Sequence, residues 1–233
     1  MSGTNRIFVT ATDTGVGKTV FSLFLINYLY SIGEVPFYFK PFQTGCSFPN
    51  DTDSDARFIY AHTKQLTGKD PSISVGYCFK EPKAPYFAAR NEKKEIDIDL
   101  VNNMLSQREK GYKWVIIEGA GGLYVPVTRD CHIIDLIKIF KAYPILVARA
   151  GLGTINHTLL SLEALKNNDL TPICVVLIDR EHTPKDMIKE NIEAIEYYSG
   201  VSVAGVIEKV EEFSCMPKNV SDIIKKIIEK FRR

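Results

Sequence analysis

Arg6-Ile7-Phe8-Val9-Thr10-Ala11-Thr12-Asp13-Thr14-Gly15-Val16-Gly17-Lys18-Thr19 runs from an apolar strand through a loop of small residues into an apolar helix carrying Val20, Leu23, Phe24, Leu25, Tyr28 and Leu29. That order is the setting of a phosphate cradle. Gly15 and Gly17 let backbone N–H groups approach an anion, and the helix that follows turns its positive end to the same point. Lys18 adds a point charge, and the Thr19 hydroxyl is of the type that holds Mg2+. Asp13, Thr14 and Val16 complete the nucleotide loop. The strict pattern has glycine where this chain has Thr12. A purely structural turn is the competing reading, and the strand before and helix after favour nucleotide binding over it.

With 233 residues the chain can bury a sizeable core, and a single domain over residues 1–233 is expected. Its 29 basic and 28 acidic residues leave a net charge of +1, so no counterion-release drive toward nucleic acid is indicated. Cys46, Cys78, Cys131, Cys174 and Cys215 are odd in number and form no CxxC pair, which argues against a disulfide framework or a zinc site. No apolar run reaches membrane-spanning length, and the first strand begins too early for a signal peptide to precede it. A cytoplasmic protein without a membrane partner is expected. The Ile and Lys pairs from Ile223 to Arg233 read as a docked final helix with one solvated face.

Short apolar runs recur at Ile7 to Thr10, Val35 to Lys40, Trp114 to Ile117, Ile145 to Ala148, Ile173 to Ile178 and Val203 to Ile207. Helical patterns at Lys18 to Ile32, Ile98 to Lys110, Ile155 to Asn168, Lys185 to Ser199 and Val220 to Phe231 separate most of them. The alternation predicts an α/β fold of three layers, P-loop NTPase-like, with a mainly parallel central sheet flanked by helices. Residues 63–97, with Pro71, Pro82 and Pro85, read as a loop-rich insertion beside the substrate site.

In such sheets ligands sit beyond the carboxyl ends of the strands, so the residues after each run carry the candidates. Lys40, followed by Pro41 and the turn Thr44-Gly45, either enters the crevice of the phosphate loop or is a solvated surface lysine. Asp51, Asp53 and Asp55 offer alternating carboxylates for a divalent cation, while Ser54 and Asp55 serve equally as a helix cap. Glu118, before Gly119-Ala120-Gly121-Gly122, is either a metal-holding carboxylate at a strand end or a charged terminus beside a tight turn. Gly151-Leu152-Gly153-Thr154 opens a helix and makes a second anion-accepting start. Asn156 replaces the last glycine of a dinucleotide fingerprint, and His157 has no acid or nucleophile partner nearby in sequence.

Taken together, Thr12 to Thr19, Lys40-Pro41 with Thr44-Gly45, Ser54-Asp55, Glu81-Pro82 with Ala84-Pro85, Glu118 to Gly122, and Gly151-Leu152-Gly153 with Ile155-Asn156-His157 resemble dethiobiotin synthetase over nearly the whole chain. The resemblance implies an ATP-dependent cyclo-ligase of biotin synthesis. Its substrates would be 7,8-diaminononanoate, CO2 and a nucleoside triphosphate, with Mg2+, in a homodimer whose substrate lies near the subunit interface. It further implies that Lys18 serves the phosphates and Lys40 the carbamate, with Thr14 and Thr44 as hydrogen-bonding partners. Thr19, Asp55 and Glu118 would hold Mg2+. Gly151, Leu152, Gly153, Thr154 and Asn156 would receive the carboxylate tail.

Three departures accompany the resemblance. Ala11 stands where relatives commonly have glycine, which requires negative φ there. Leu177-Ile178-Asp179-Arg180 lacks the asparagine with which relatives typically read adenine, and Gly205-Val206-Ile207-Glu208-Lys209 lacks their proline. Loosened base selectivity is the expectation. The rival class is a partitioning or cell-division ATPase, against which stand the absence of a lysine just before the loop glycines and the near-zero net charge.

Overall fold

The computed structural model describes residues 4–213 and 215–231. Seven strands form one parallel sheet: β1 (Asn5–Ala11), β2 (Pro36–Thr44), β3 (Val75–Phe79), β4 (Trp114–Glu118), β5 (Tyr143–Arg149), β6 (Val175–Asp179) and β7 (Val203–Glu208). Their order across the sheet is β3-β2-β4-β1-β5-β6-β7, so β1 lies at the centre, in register with β4 through Val9↔Glu118 and with β5 through Val9↔Ile145. Helices α1 (Lys18–Ser31), α2 (Asp55–Ala61), α3 (Pro85–Asn91), α4 (Ile98–Arg108), α5 (Ile133–Ile139), α6 (Thr154–Asn167), α7 (Lys185–Ser199) and α8 (Lys218–Glu229) cover its two faces.

Strand alternation sorts the core into two layers. Ile7, Val9 and Ala11 of β1, with Ile116, Ile145, Val147 and Val176, pack on α1, α2 and α8. Phe8, Phe37, Phe39, Val115, Ile117, Leu146 and Leu177 pack on the other side against α3 to α7. Helix α1 buries Phe21, Leu23, Phe24, Leu25, Ile26 and Leu29, almost all round its circumference, as a helix must when it is covered by the sheet and two neighbouring helices. Helix α8 buries Val220, Ile223, Ile224, Ile227 and Ile228 and exposes Lys225 and Lys226, and Phe231 beyond it meets Trp114 edge-on. The docked final helix read from the sequence is borne out as far as Glu229, and Arg232 and Arg233 at the end of that reading lie outside the described residues.

The three-layer parallel sheet was legible, with three corrections. The segment 63–97 is not merely a loop: it carries the edge strand β3 and helix α3, which short length and intervening prolines hide from periodicity. Helix α5 has one side of its seven residues buried through Ile133, Ile134, Leu136 and Ile137, too short a stretch to separate from the neighbouring apolar run. Strand β2 does not stop at Lys40 but continues to Thr44. It pairs with β4 only over Pro36 to Phe39 and from Lys40 onward pairs with β3 alone, so Lys40 sits where β2 and β4 diverge. That divergence opens the crevice at the carboxyl ends of the strands.

Candidate active site

Strand β1 delivers the chain into the loop and α1 takes it away. Gly17 sits at φ 113° as the cap of α1, and a Cβ there would come within 3.0 Å of Ile178, so conformation and close packing both call for glycine. Ala11 remains an ordinary strand residue, outside the positive-φ set, which is why alanine is accepted in place of glycine. A cavity of about 650 Å³ opens beside the loop. Thr14, Gly15, Gly17, Lys18, Thr19, Lys40, Thr44, Asp55 and Glu118 all line it, so the structure brings most of the sequence candidates together. Pro82 to Pro85 of the insertion form part of its wall.

Lys18 is buried and donates to the carbonyls of Asp13 at 3.1 Å and Gly121 at 3.0 Å. Burial, followed by the repulsion of the Lys40 ammonium, lowers its pKa to about 8. Lys40 is an interior residue, not a surface lysine. Its ammonium lies 2.7 Å from Asp55 Oδ2 and 2.9 Å from Glu118 Oε1 and also donates to the Gly119 carbonyl. Burial works against that charge, but the two carboxylates outweigh it and hold the Lys40 pKa above its usual value. The same partnership, with the Thr19 hydroxyl, holds the Asp55 carboxyl below its usual range in spite of desolvation.

Thr19 Oγ1 lies 2.8 Å from Asp55 Oδ1 and 2.8 Å from Glu118 Oε1. One hydroxyl proton cannot satisfy both contacts at once. Three oxygens therefore converge, Thr19 Oγ1 with one carboxylate oxygen each of Asp55 and Glu118, a hard donor set of the type that suits Mg2+. The Lys40 ammonium balances the carboxylates in the nucleotide-free chain. Among the described residues no group of three or more His, Cys, Asp or Glu side chains is placed to hold a metal. The three alternating aspartates divide. Asp51 accepts the N–H groups of Ser47 and Phe48, Asp53 lines the cavity, and Asp55 joins Thr19 and Lys40. Ser54 caps α2 by accepting from Arg57 N, so the cap and the carboxylate site coexist.

The remaining candidates lie elsewhere. Asp13 is exposed, accepts Thr14 N and faces Arg149 at 3.4 Å, and Val16 is buried; both flank the loop outside the large cavity. Gly151 borders a smaller cavity of about 290 Å³ with Gly15 and Val16. Leu152 is 86 % exposed, Gly153 and Asn156 are exposed, and Thr154 is buried with its hydroxyl 3.2 Å from that of Thr158. Within one chain, then, none of Gly151, Leu152, Gly153, Thr154 and Asn156 lines the large cavity. The structure adds Tyr38, fully buried, whose hydroxyl donates to Glu118 Oε2 at 3.1 Å, and Arg180, which reaches Gly15. Tyr38 was findable as the residue two before Lys40 on the same strand face, and Arg180 as a strand-exit residue of β6.

A parallel sheet with a glycine loop between β1 and α1, closed by a lysine, a hydroxyl and two carboxylates, defines a P-loop nucleotide-binding protein. A family model described as an AAA domain matches residues 5–216. The ATP-dependent dethiobiotin synthetase BioD of Hydrogenobaculum sp. is 39% identical over 199 residues, covering 80% of this chain and 86% of that protein. Those of Clostridium acetobutylicum and Lysinibacillus sphaericus are 34% and 35% identical, covering 88% and 90% of this chain and 87% and 89% of theirs. The chain belongs to the dethiobiotin synthetase family. In fold alone it is similar to the MinD cell division protein of Aquifex aeolicus (12% identity, TM-score 0.58, covering 97% of each chain). It is likewise similar to a ParA family ATPase of Chlorobium tepidum (15% identity, TM-score 0.53, covering 97% and 93%).

Proposed function

We propose that the chain is an ATP-dependent dethiobiotin synthetase, closing the ureido ring of dethiobiotin from 7,8-diaminononanoate and CO2 in one Mg2+-dependent site within a single domain. The observation that carries this reading is the buried Lys40 between Asp55 and Glu118, set in the same cavity as Lys18 and Thr19. A nucleotide switch needs the phosphate loop and a metal carboxylate but has no use for a second buried ammonium at the diverging strand.

One amine of the diamine takes up CO2, releasing a proton and leaving a carbamate. A carbamate oxygen attacks the γ-phosphorus, the bond to the β-γ bridging oxygen breaks, and ADP departs. The second amine then attacks the carbonyl carbon of the mixed anhydride, loses its proton and expels phosphate as the ring closes. Lys18 neutralises charge on the transferring group, and Lys40 holds the carbamate oxygen in line while Thr14 and Thr44 orient it. Such a reaction asks mainly for positioning and charge neutralisation. Thr19, Asp55 and Glu118 would hold Mg2+, which supplies Lewis-acid neutralisation of the phosphates when bound.

The tail of the substrate is taken by a second copy of the chain. The separation of Gly151 to Asn156 from the large cavity supports this, as do the exposed Leu152, Tyr197 and Tyr198. The functional test is phosphate release from MgATP and bicarbonate with and without 7,8-diaminononanoate, with the product identified by mass. Diamine-dependent release with the mass of dethiobiotin is expected. Diamine-independent hydrolysis with no such product would replace this reading with a switch-type ATPase.

A further inference from the structure

The tip of the phosphate loop is tethered by a guanidinium. Arg180, the residue after β6, donates from Nη1 to the Gly15 carbonyl at 2.7 Å, across 165 positions of sequence. It borders both the large cavity and the smaller one beyond the loop. Arg149 also reaches the loop, but its contact with Asp13 is longer, at 3.4 Å, and made to a side chain, whereas Arg180, likewise exposed, holds a backbone carbonyl.

Gly15 is the position where the loop most needs such a tether. It stands at φ 72°, the left-handed region that glycine enters without strain, and the space a Cβ would fill there is open, with nothing within 4 Å. A phosphate loop binds an anion only while its N–H groups converge. A freely turning Gly15 peptide would present a carbonyl oxygen, the wrong end of the dipole, to the phosphates. A charge-assisted hydrogen bond to that carbonyl holds it away from them.

We propose that Arg180 is a nucleotide-positioning residue, keeping the Gly15 peptide in its anion-receiving orientation and so setting nucleotide affinity without taking part in phosphoryl transfer. The inference rests on the nucleotide-binding reading above. Because one donor engages one carbonyl, lysine can replace arginine here, whereas methionine keeps the reach and loses the donor.

The test is titration of full-length protein with a fluorescent ADP analogue and Mg2+, without the diamine, for wild type, Arg180→Met and Arg180→Lys. It is accompanied by melting of the nucleotide-free proteins and by steady-state kinetics. Arg180→Met is expected to weaken nucleotide binding about tenfold, raise KM for ATP in proportion and leave kcat within about threefold. The melting midpoint of the nucleotide-free protein should stay unchanged, and Arg180→Lys should recover most of the affinity. Wild-type affinity in Arg180→Met, or a loss that Arg180→Lys does not repair, overturns the assignment. A wild-type protein that binds no nucleotide overturns the functional reading as well, whereas a wild-type protein that binds nucleotide without diamine-dependent turnover overturns the synthetase reading alone, and the titrations of the two variants still decide the role of Arg180.

Discussion

Lys40 Nζ lies 2.9 Å from Glu118 Oε1, and the side chains are 5% and 0% exposed. The strands that carry them part company at this point, so a buried ion pair occupies the mouth of a crevice where backbone pairing has ended. Removing one member of such a pair leaves an uncompensated charge in low dielectric, which costs about 3–5 kcal/mol.

Lys40→Gln is therefore expected to have two separable effects. Turnover should fall by orders of magnitude while nucleotide binding through Lys18 changes little. Stability in the absence of metal should fall by about 3 kcal/mol, and Mg2+ should restore more of it in the variant than in the wild type, because a cation can then take up the carboxylate charge. Steady-state kinetics and melts with and without Mg2+ read both. Near-normal turnover in the variant would remove Lys40 from the catalytic machinery.

Lys18 gives the site a pH dependence. Burial and the neighbouring Lys40 lower its pKa to about 8 in the nucleotide-free protein, and phosphate oxygens favour the charged form, so the pKa rises on binding. Below that value the ammonium is already charged. Above it, binding must take up a proton, and Kd should rise about tenfold per pH unit until the value in the complex is reached. Calorimetry in buffers of different ionisation heat should detect proton uptake that grows from pH 7 to pH 9. Equal apparent heats in all buffers at pH 9 would contradict the assignment.

The phosphate loop was legible because its chemistry is local: Gly15, Gly17, Lys18 and Thr19 adjoin in sequence, and the strand and helix around them are long enough to show their periods. Lys40, Asp55 and Glu118 were legible only as alternatives, since a strand-end lysine and a strand-end glutamate acquire their meaning from each other's position. The contact between Lys40 and Glu118 spans 78 residues. Strand alternation and the strand-exit rule could place Tyr38 and Arg180 near the site, but their roles come from partners far along the chain, Glu118 for Tyr38 and Gly15 for Arg180. Strand β3 was hidden because Gly76 interrupts its apolar run and its middle is only half-buried, unlike the continuous runs of β4 and β6, and α3 because seven residues show too little of the helical period.

Thr19 Oγ1 faces Asp55 and Glu118 with a single proton, so one of its two contacts stays unsatisfied until another group enters. Thr19→Ala should raise the Mg2+ concentration for half-maximal turnover about tenfold, with Thr19→Ser close to wild type. Chelation of divalent cations should abolish turnover in all three proteins. A Mg2+ titration at saturating ATP measures this, and coincident curves for the alanine variant and wild type would take Thr19 out of the metal set.

Base selectivity follows from the far end of the cavity. Its lining beyond the loop is Val20, Ile178, Val210 and Phe213, with Arg180, Glu208 and Lys209. Ile178 packs against Gly17, and the Asp179 carboxylate is taken up by the N–H groups of Glu181 and Thr183 and by the Thr183 hydroxyl. The one side-chain amide among the lining residues, Gln43, is engaged with Asp55 N and the Thr44 carbonyl at the other end. The apolar part of this wall accepts any base face, whereas strong discrimination needs buried donors and acceptors that go unpaired with the wrong base, and Arg180, Glu208 and Lys209 are exposed. Turnover with GTP and CTP at concentrations equal to ATP should thus stay within about tenfold of the ATP rate, and Ile178→Asn should widen the gap in favour of ATP. An exclusive preference for ATP in the wild type would mean that backbone groups or the Arg180, Glu208 and Lys209 side chains at the β6 and β7 exits read adenine.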